Sequence, residues 1–191
     1  MTPPEVLITA DRIQHRVDEL ARQIMRDYDG RKLTLVGVLT GSLLFLADLM
    51  RRLDLPLRIA LIQASSYRGA VTRPGALHVQ SDLLPDLRGR HILILDDILD
   101  TGHTLAYLVR HLKALEPASL KAAVLLRKQG RQEEPFEPDY CGFEIPDEFV
   151  IGYGLDYREL HRNLPFICVL KPDVYRGLEP PRLGLVEDPA G

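Results

Sequence analysis

The sequence predicts an α/β fold, a mainly parallel twisted sheet flanked by helices. Three observations predict it. Apolar, β-branched runs of strand length alternate with stretches of helical period: Leu33–Leu39 precedes Ser42–Arg52, and His91–Leu95 precedes Thr104–Leu115. Alternation of that kind calls for parallel strands joined by helices that cover both faces of the sheet. The 191 residues, 46% hydrophobic and 27% charged, are an ordinary globular balance and enough for one well-buried core. A single domain is therefore expected over residues 1–191, with its core at about 30–172 and an irregular tail at 177–191.

Each element follows from its residues. Thr9 can cap a helix with Asp11 in its first turn. Ile13, Val17, Leu20, Ala21 and Ile24 then keep helical spacing until Asp29-Gly30 ends the run. Leu33–Leu39 is a buried strand bounded by a Gly-Ser turn. Ser42–Arg52 is a helix closed by Asp54 and Pro56, and Leu57–Ala64 is the second strand. Tyr67 to Pro85 is polar, with Gly69, Pro74, Gly75 and Pro85. A loop that long in a small domain is usually functional, and part of it can pair as a hairpin. His91–Leu95, Thr104–Leu115 and Leu120–Leu126 continue the strand, helix, strand order. Gly130 to Pro138 is a polar loop, and Phe149–Ile151 and Ile167–Leu170 are short strands. The tail from Gly177, with Pro180, Pro181 and Pro189, is expected to be irregular.

Several functional classes recede at once. A net charge of -3 argues against a nucleic-acid surface. No run reaches membrane-spanning length, and Met1-Thr2-Pro3-Pro4-Glu5 lacks the regions of a signal peptide. Cys141 and Cys168 are too few and too far apart for a disulfide scaffold or metal knuckle, and read as reduced thiols of a cytoplasmic protein. The chain holds no Walker A loop. Gly152-Tyr153-Gly154 lacks the third glycine of a dinucleotide fingerprint, because position 157 is tyrosine.

Chemistry concentrates elsewhere. Ligands of such sheets sit beyond the carboxyl ends of the strands, where Gly41, Asp96, Asp97 and Lys128 fall. An apolar strand that ends in Asp96-Asp97 buries charge at a cost unless something polar meets it. The turn Asp100-Thr101-Gly102-His103-Thr104 follows, offering hydroxyls and backbone N–H groups at a helix start, a ready anion site. Leu39-Thr40-Gly41-Ser42 is a second strand-to-helix turn. Two anion sites with acids for ribose hydroxyls or magnesium fit a sugar carrying phosphate at one end and pyrophosphate at the other. Taken alone, Lys128 is best explained as a solvated strand end, and Phe149 to Tyr157 as packing plus a turn.

Taken together, these stretches resemble the type I phosphoribosyltransferases, specifically their 6-oxopurine branch, over roughly residues 5–172. Leu39–Ser42 resembles the pyrophosphate loop, Ser65-Ser66-Tyr67 the start of the flexible catalytic loop, and Ile94–Gly102 the 5-phosphoribosyl pyrophosphate (PRPP) loop. Leu125–Lys128 resembles the strand with the purine-binding lysine. Phe149–Asp156 with Arg162-Asn163-Leu164-Pro165 resembles the purine and magnesium segment. The resemblance implies a type I fold with a small hood from the N- and C-terminal segments. It implies transfer of phosphoribose from PRPP to hypoxanthine or guanine, yielding IMP or GMP and pyrophosphate, with Mg2+ as cofactor.

The implied roles are specific. Asp96 and Asp97 meet the ribose hydroxyls and, with Asp156, the magnesium. Asp100 stands beside purine N7 as general base. Asp100, Thr101, Gly102, His103 and Thr104 hold the 5′-phosphate, and Thr40, Gly41 and Arg162 the pyrophosphate. Lys128 donates to the 6-oxo group, Phe149 stacks on the base, and Val150 and Asp156 meet its edge. Ser66 and Tyr67 ride on the closing loop. Relatives form homodimers or homotetramers, so one of these is expected.

Two departures stand out. Thr40 takes a place usually held by a basic residue, which predicts a modestly raised Michaelis constant for PRPP or pyrophosphate. His103 stands where relatives vary and is expected to be a solvent-facing loop residue without catalytic role. A xanthine-preferring transferase and a PRPP-sensing regulator with the same fold are the competing readings. The regulator is disfavoured by the charge and by the joint presence of Asp100, Lys128 and Phe149.

Overall fold

In the computed structural model, described for residues 5–66, 77–80 and 84–171, one six-stranded sheet runs through the molecule. The chain forms β1 (Glu5–Ile8), α1 (Ala10–Asp27), β2 (Leu33–Leu39), α2 (Leu43–Met50), β3 (Leu57–Ser66) and β4 (Leu77–Gln80). It continues with β5 (His91–Leu99), α3 (His103–Lys113), β6 (Ser119–Lys128), β7 (Tyr140–Ile145), β8 (Val150–Ile151) and β9 (Ile167–Val169). The main sheet has the order β4-β3-β2-β5-β6-β7 and is parallel except for β4. Strand β4 comes from the 67–85 stretch, but it pairs antiparallel with the end of β3 and not with another part of that stretch.

Period-two alternation distributes the core onto two faces. Leu33, Leu35, Leu93, Leu95, Ala123 and Leu125 face α1 and α2. Val36, Val38, Ile92, Ile94, Ala122 and Val124 face α3. Helix α1 buries the five residues named by its period. Its cap is Thr9, whose Oγ1 accepts from Arg12 N at 3.4 Å, with Asp11 in the first turn and Arg26 in the last, matching the helix dipole. A separate antiparallel sheet, β1-β9-β8, joins the two ends of the described chain and forms the expected hood.

The boundaries differ from expectation in ways that matter. Strand β5 does not stop at Leu95. It runs through Asp96 and Asp97 to Leu99, still paired with β6 as Asp96↔Val124 and Leu99↔Arg127. Ladder hydrogen bonds thus outlast the apolar run. Strands β3 and β6 are likewise longer than their apolar patterns indicate, α2 is shorter at both ends, and α3 both starts and stops earlier. Strands β1 and β7 have no counterpart in the sequence reading: β7 adds to β6 in parallel, Ala123↔Tyr140 to Lys128↔Ile145. Ser66 ends β3, whereas Tyr67 and the tail from Gly177 lie outside the described residues. No described helix is long and apolar enough to cross a membrane.

Leu93 is fully buried in the middle of the central strand. Leu93→Ala is expected to lower the unfolding free energy by about 2–5 kcal/mol in urea titrations. A loss below about 1 kcal/mol would contradict this assignment of the core.

Candidate active site

Three loops meet at the carboxyl edge of the sheet. They follow β2, β5 and β8, and glycine lets each approach its neighbour. A Cβ on Gly41 would lie 1.7 Å from Asp97 Oδ2, and one on Gly154 would lie 2.0 Å from the Gly41 carbonyl oxygen. Gly102, at φ +91, would place a Cβ 2.2 Å from the Glu134 carbonyl oxygen. Only a residue without a side chain fits these contacts. The Leu39–Thr40 peptide is cis.

The loops enclose a cavity of about 340 Å³. Thr40, Gly41, Asp96, Asp97, Asp100, Thr101, Gly102, Thr104, Asp156 and Arg162 line it. Ten sequence-predicted site residues thus share one cavity. At its floor, Asp96 is 7% exposed and Asp97 is half-buried. Asp96 Oδ1 accepts from Asp97 N at 3.0 Å, and Asp97 Oδ1 accepts from Ile98 N at 2.9 Å. Burial drives the Asp96 carboxyl far above the usual range, and the neighbouring Asp97 charge adds to this. Burial also raises Asp97, against the opposing effects of its hydrogen bonds and of Arg162.

One wall is positive in character. Gly102 caps α3 without any side-chain hydrogen bond, so the first N–H groups of this eleven-residue helix point outward, unpaired within it. A bound anion meets both these donors and the helix dipole. On the opposite wall, Arg162 donates from Nη1 to the Gly154 carbonyl at 2.8 Å and pairs through Nη2 with Asp156 Oδ1 at 2.9 Å.

The remaining predicted residues stand at the margin. Lys128, buried at the end of β6, reaches Asp100 Oδ2 with Nζ at 3.3 Å and Asp147 Oδ1 at 3.5 Å. Phe149 is 43% exposed and meets Tyr157 edge-on at 5.9 Å. Its carbonyl accepts from Leu170 N, and Val150 pairs with Val169 in the hood. Lys128, Phe149 and Val150 do not line the 340 Å³ cavity; Lys128 connects to it through Asp100. His103 is corrected from loop to helix: it is the first residue of α3. Its exposed ring reaches Glu133 at 3.1 Å and Glu134 at 3.3 Å, and these carboxylates, Glu133 foremost, raise its pKa.

Two residues here escaped the sequence reading. Arg131 Nε lies 3.1 Å from Asp100 Oδ1 and 3.5 Å from Asp147 Oδ1. Asp147 follows β7, whose register with β6 sets Ile145 against Lys128. The missing signal was that strand: without β7, nothing brings residue 147 to residue 128.

A doubly wound sheet with buried acids at a strand end and an open helix terminus beside them places a ligand site at the carboxyl edge of an α/β fold. The chain belongs to the phosphoribosyltransferase family: it matches the phosphoribosyl transferase domain over residues 9–158. It is 44% identical, over 90% of this chain and 96% of the relative, to a hypoxanthine-guanine phosphoribosyltransferase of Staphylococcus aureus. A crystal structure of a hypoxanthine phosphoribosyltransferase from that organism superposes with a TM-score of 0.84 at 44% identity, covering 90% of this chain and 93% of the other. A Trypanosoma cruzi hypoxanthine phosphoribosyltransferase, a K68R mutant in a ternary substrates complex, gives a TM-score of 0.84 at 41% identity, covering 90% and 97%.

The raised carboxyls imply a pH dependence of stability. Unfolded, Asp96 and Asp97 ionise at ordinary values; folded, they keep protons to higher pH. The folded state binds more protons in that window, so stability falls as pH rises through it. In EDTA-containing buffer, Asp96→Asn is expected to raise the unfolding free energy at pH 7.5 by about 1–3 kcal/mol, with a smaller gain at pH 5. An equal effect at both pH values would contradict the burial argument.

Proposed function

We propose that the protein transfers the 5-phosphoribosyl group of PRPP to N9 of hypoxanthine or guanine, giving IMP or GMP and pyrophosphate. One observation carries the reading: the ribose-phosphate cavity and Lys128 share Asp100, which touches both. A sugar-phosphate site alone would make a binder. A carboxylate between that site and a buried lysine makes a place where an acceptor base can lose a proton.

In this reading the 5′-phosphate rests on the backbone and hydroxyls of Asp100 to Thr104 at the head of α3. Asp96 and Asp97 accept from the ribose hydroxyls, which supplies the polar partner their burial demands. Thr40, Gly41 and Arg162 hold the pyrophosphate. The C1′–O bond to pyrophosphate breaks as N9 bonds to C1′, while Asp100 takes the proton from N7. Lys128 donates to the 6-oxo group, which a 6-amino purine cannot accept. Phe149 covers the base, and the Val150 backbone meets its edge together with Asp156.

Mg2+ fits the donor set: Asp96, Asp97 and Asp156 offer the hard oxygens it takes. Among the described residues no three His, Cys, Asp or Glu side chains form a ready-made metal site. Magnesium held partly through substrate phosphates needs only one or two protein carboxylates. When bound, it offsets charge on the departing pyrophosphate.

We place the reaction in the cytoplasm. We further expect self-association as a homodimer or homotetramer. A monomer in sedimentation would remove that part of the reading.

A spectrophotometric assay with PRPP, Mg2+ and each of hypoxanthine, guanine, xanthine and adenine tests the activity. Turnover is expected with the first two. Xanthine alone would mark the xanthine-preferring enzyme, and no turnover the PRPP-sensing regulator. Asp100→Asn should lower kcat by roughly 10²–10⁴-fold, the worth of a general base, while calorimetry shows PRPP binding retained. Near-normal turnover would take Asp100 out of that role. Thr40→Lys is expected to lower the Michaelis constant for PRPP or pyrophosphate; unchanged constants for both would show that the backbone alone binds the pyrophosphate.

A further inference from the structure

Both oxygens of Asp100 are already taken. Lys128 Nζ sits 3.3 Å from Oδ2 and Arg131 Nε 3.1 Å from Oδ1. An N–H of the incoming base competes with these two cations for the Asp100 oxygens, so moving one of them opens an acceptor position for it. Lys128 is buried and anchored at the end of a paired strand. Arg131 is 43% exposed and follows Gly130, at φ +70, in the turn after β6. Arg131 is therefore the cation that can move.

A place for it exists. Asp147 Oδ1 lies 3.5 Å from Arg131 Nε and 3.5 Å from Lys128 Nζ. The fold fixes it there: Gln129 N donates to the Ile145 carbonyl at 2.9 Å, Pro146 stiffens the next step, and Asp147 follows. For Arg131 the two carboxylates differ by only a few tenths of an ångström, so moving from one to the other exchanges ion pairs without leaving the guanidinium unpaired. The loop is also tied to the phosphate cradle, because Glu133 N and Glu134 N both donate to the Thr101 carbonyl at 3.0 Å.

We propose that Arg131 and Asp147 are positioning residues for the acceptor base: Arg131 latches Asp100 while the purine site is empty, and Asp147 receives Arg131 and steadies Lys128 when the base binds. This rests on the transferase reading. The two residues carry opposite signs for base binding. Arg131 competes with the purine for Asp100, whereas Asp147 favours the arrangement that accepts it. The pairs are partly exposed, so each effect is small, about threefold to fivefold.

The test is steady-state kinetics with hypoxanthine and PRPP on the full chain. Asp147→Asn is expected to raise KM for hypoxanthine about threefold to fivefold, with kcat and KM for PRPP nearly unchanged, and Asp147→Glu to recover most of it. Arg131→Gln is expected to lower KM for hypoxanthine by a similar factor. A role limited to stability would not give opposite signs. Thermal midpoints close to wild type confirm that both variants fold. Unshifted hypoxanthine KM in both, or a rise in Arg131→Gln, overturns the proposal. Inactivity of the wild type with every 6-oxopurine would instead overturn the transferase reading, so the two failures are distinguishable.

Discussion

The site depends on one contact, the Asp97 carboxylate pressed against the bare Cα of Gly41. A side chain at position 41 would occupy the space of Oδ2. Because the backbone can come this close, the loop after β2 closes over the end of β5. The Gly41 carbonyl in turn supports Gly154, and Arg162 ties that loop down through the Gly154 carbonyl. Two glycines and one arginine thus gather three strand ends around one half-open cavity.

That closure has an electrostatic consequence. It buries Asp96 and Asp97 together, which raises both carboxyls. Hydroxyl donors or a cation are the partners such buried acids call for. Anionic groups are welcomed instead at the unpaired N-terminus of α3 and beside Arg162. In the proposed reading the cavity sorts its ligand by charge, with acids toward the sugar, helix donors toward one phosphate and the guanidinium toward the other. Beyond it, Asp100 contacts Lys128 and Arg131, and both reach Asp147; the proposed reading places the acceptor heterocycle there.

Much of this was legible in the chain. The helical period from Ile13 to Ile24 named the residues α1 buries, and the apolar runs at 33–39 and 91–95 marked the centre of the sheet. Ten of the predicted site residues line one cavity, because strand-end acids and Gly-containing turns are local signals that the parallel sheet gathers along one edge. The parts that were missed are non-local. The half-buried, mixed pattern of Tyr140–Ile145 has no strand signature of its own and becomes β7 only through pairing with β6. Glu5–Ile8 is four residues, two of them exposed, that become a strand only against β9. Arg131 and Asp147 look like ordinary loop charges until β6 and β7 are placed side by side. His103 read as a loop residue because a glycine cap gives no side-chain signal for the start of α3.

The most direct test of the central claim, that the acids at the end of β5 hold the sugar between two anion sites, is a crystal structure with GMP and magnesium pyrophosphate. The account predicts the 5′-phosphate on the backbone of Thr101 to Thr104 and the ribose hydroxyls on Asp96 and Asp97. It also predicts the guanine oxygen at Lys128, with Arg131 moved from Asp100 to Asp147. A nucleotide bound in the reverse direction, or outside the cavity, would contradict it.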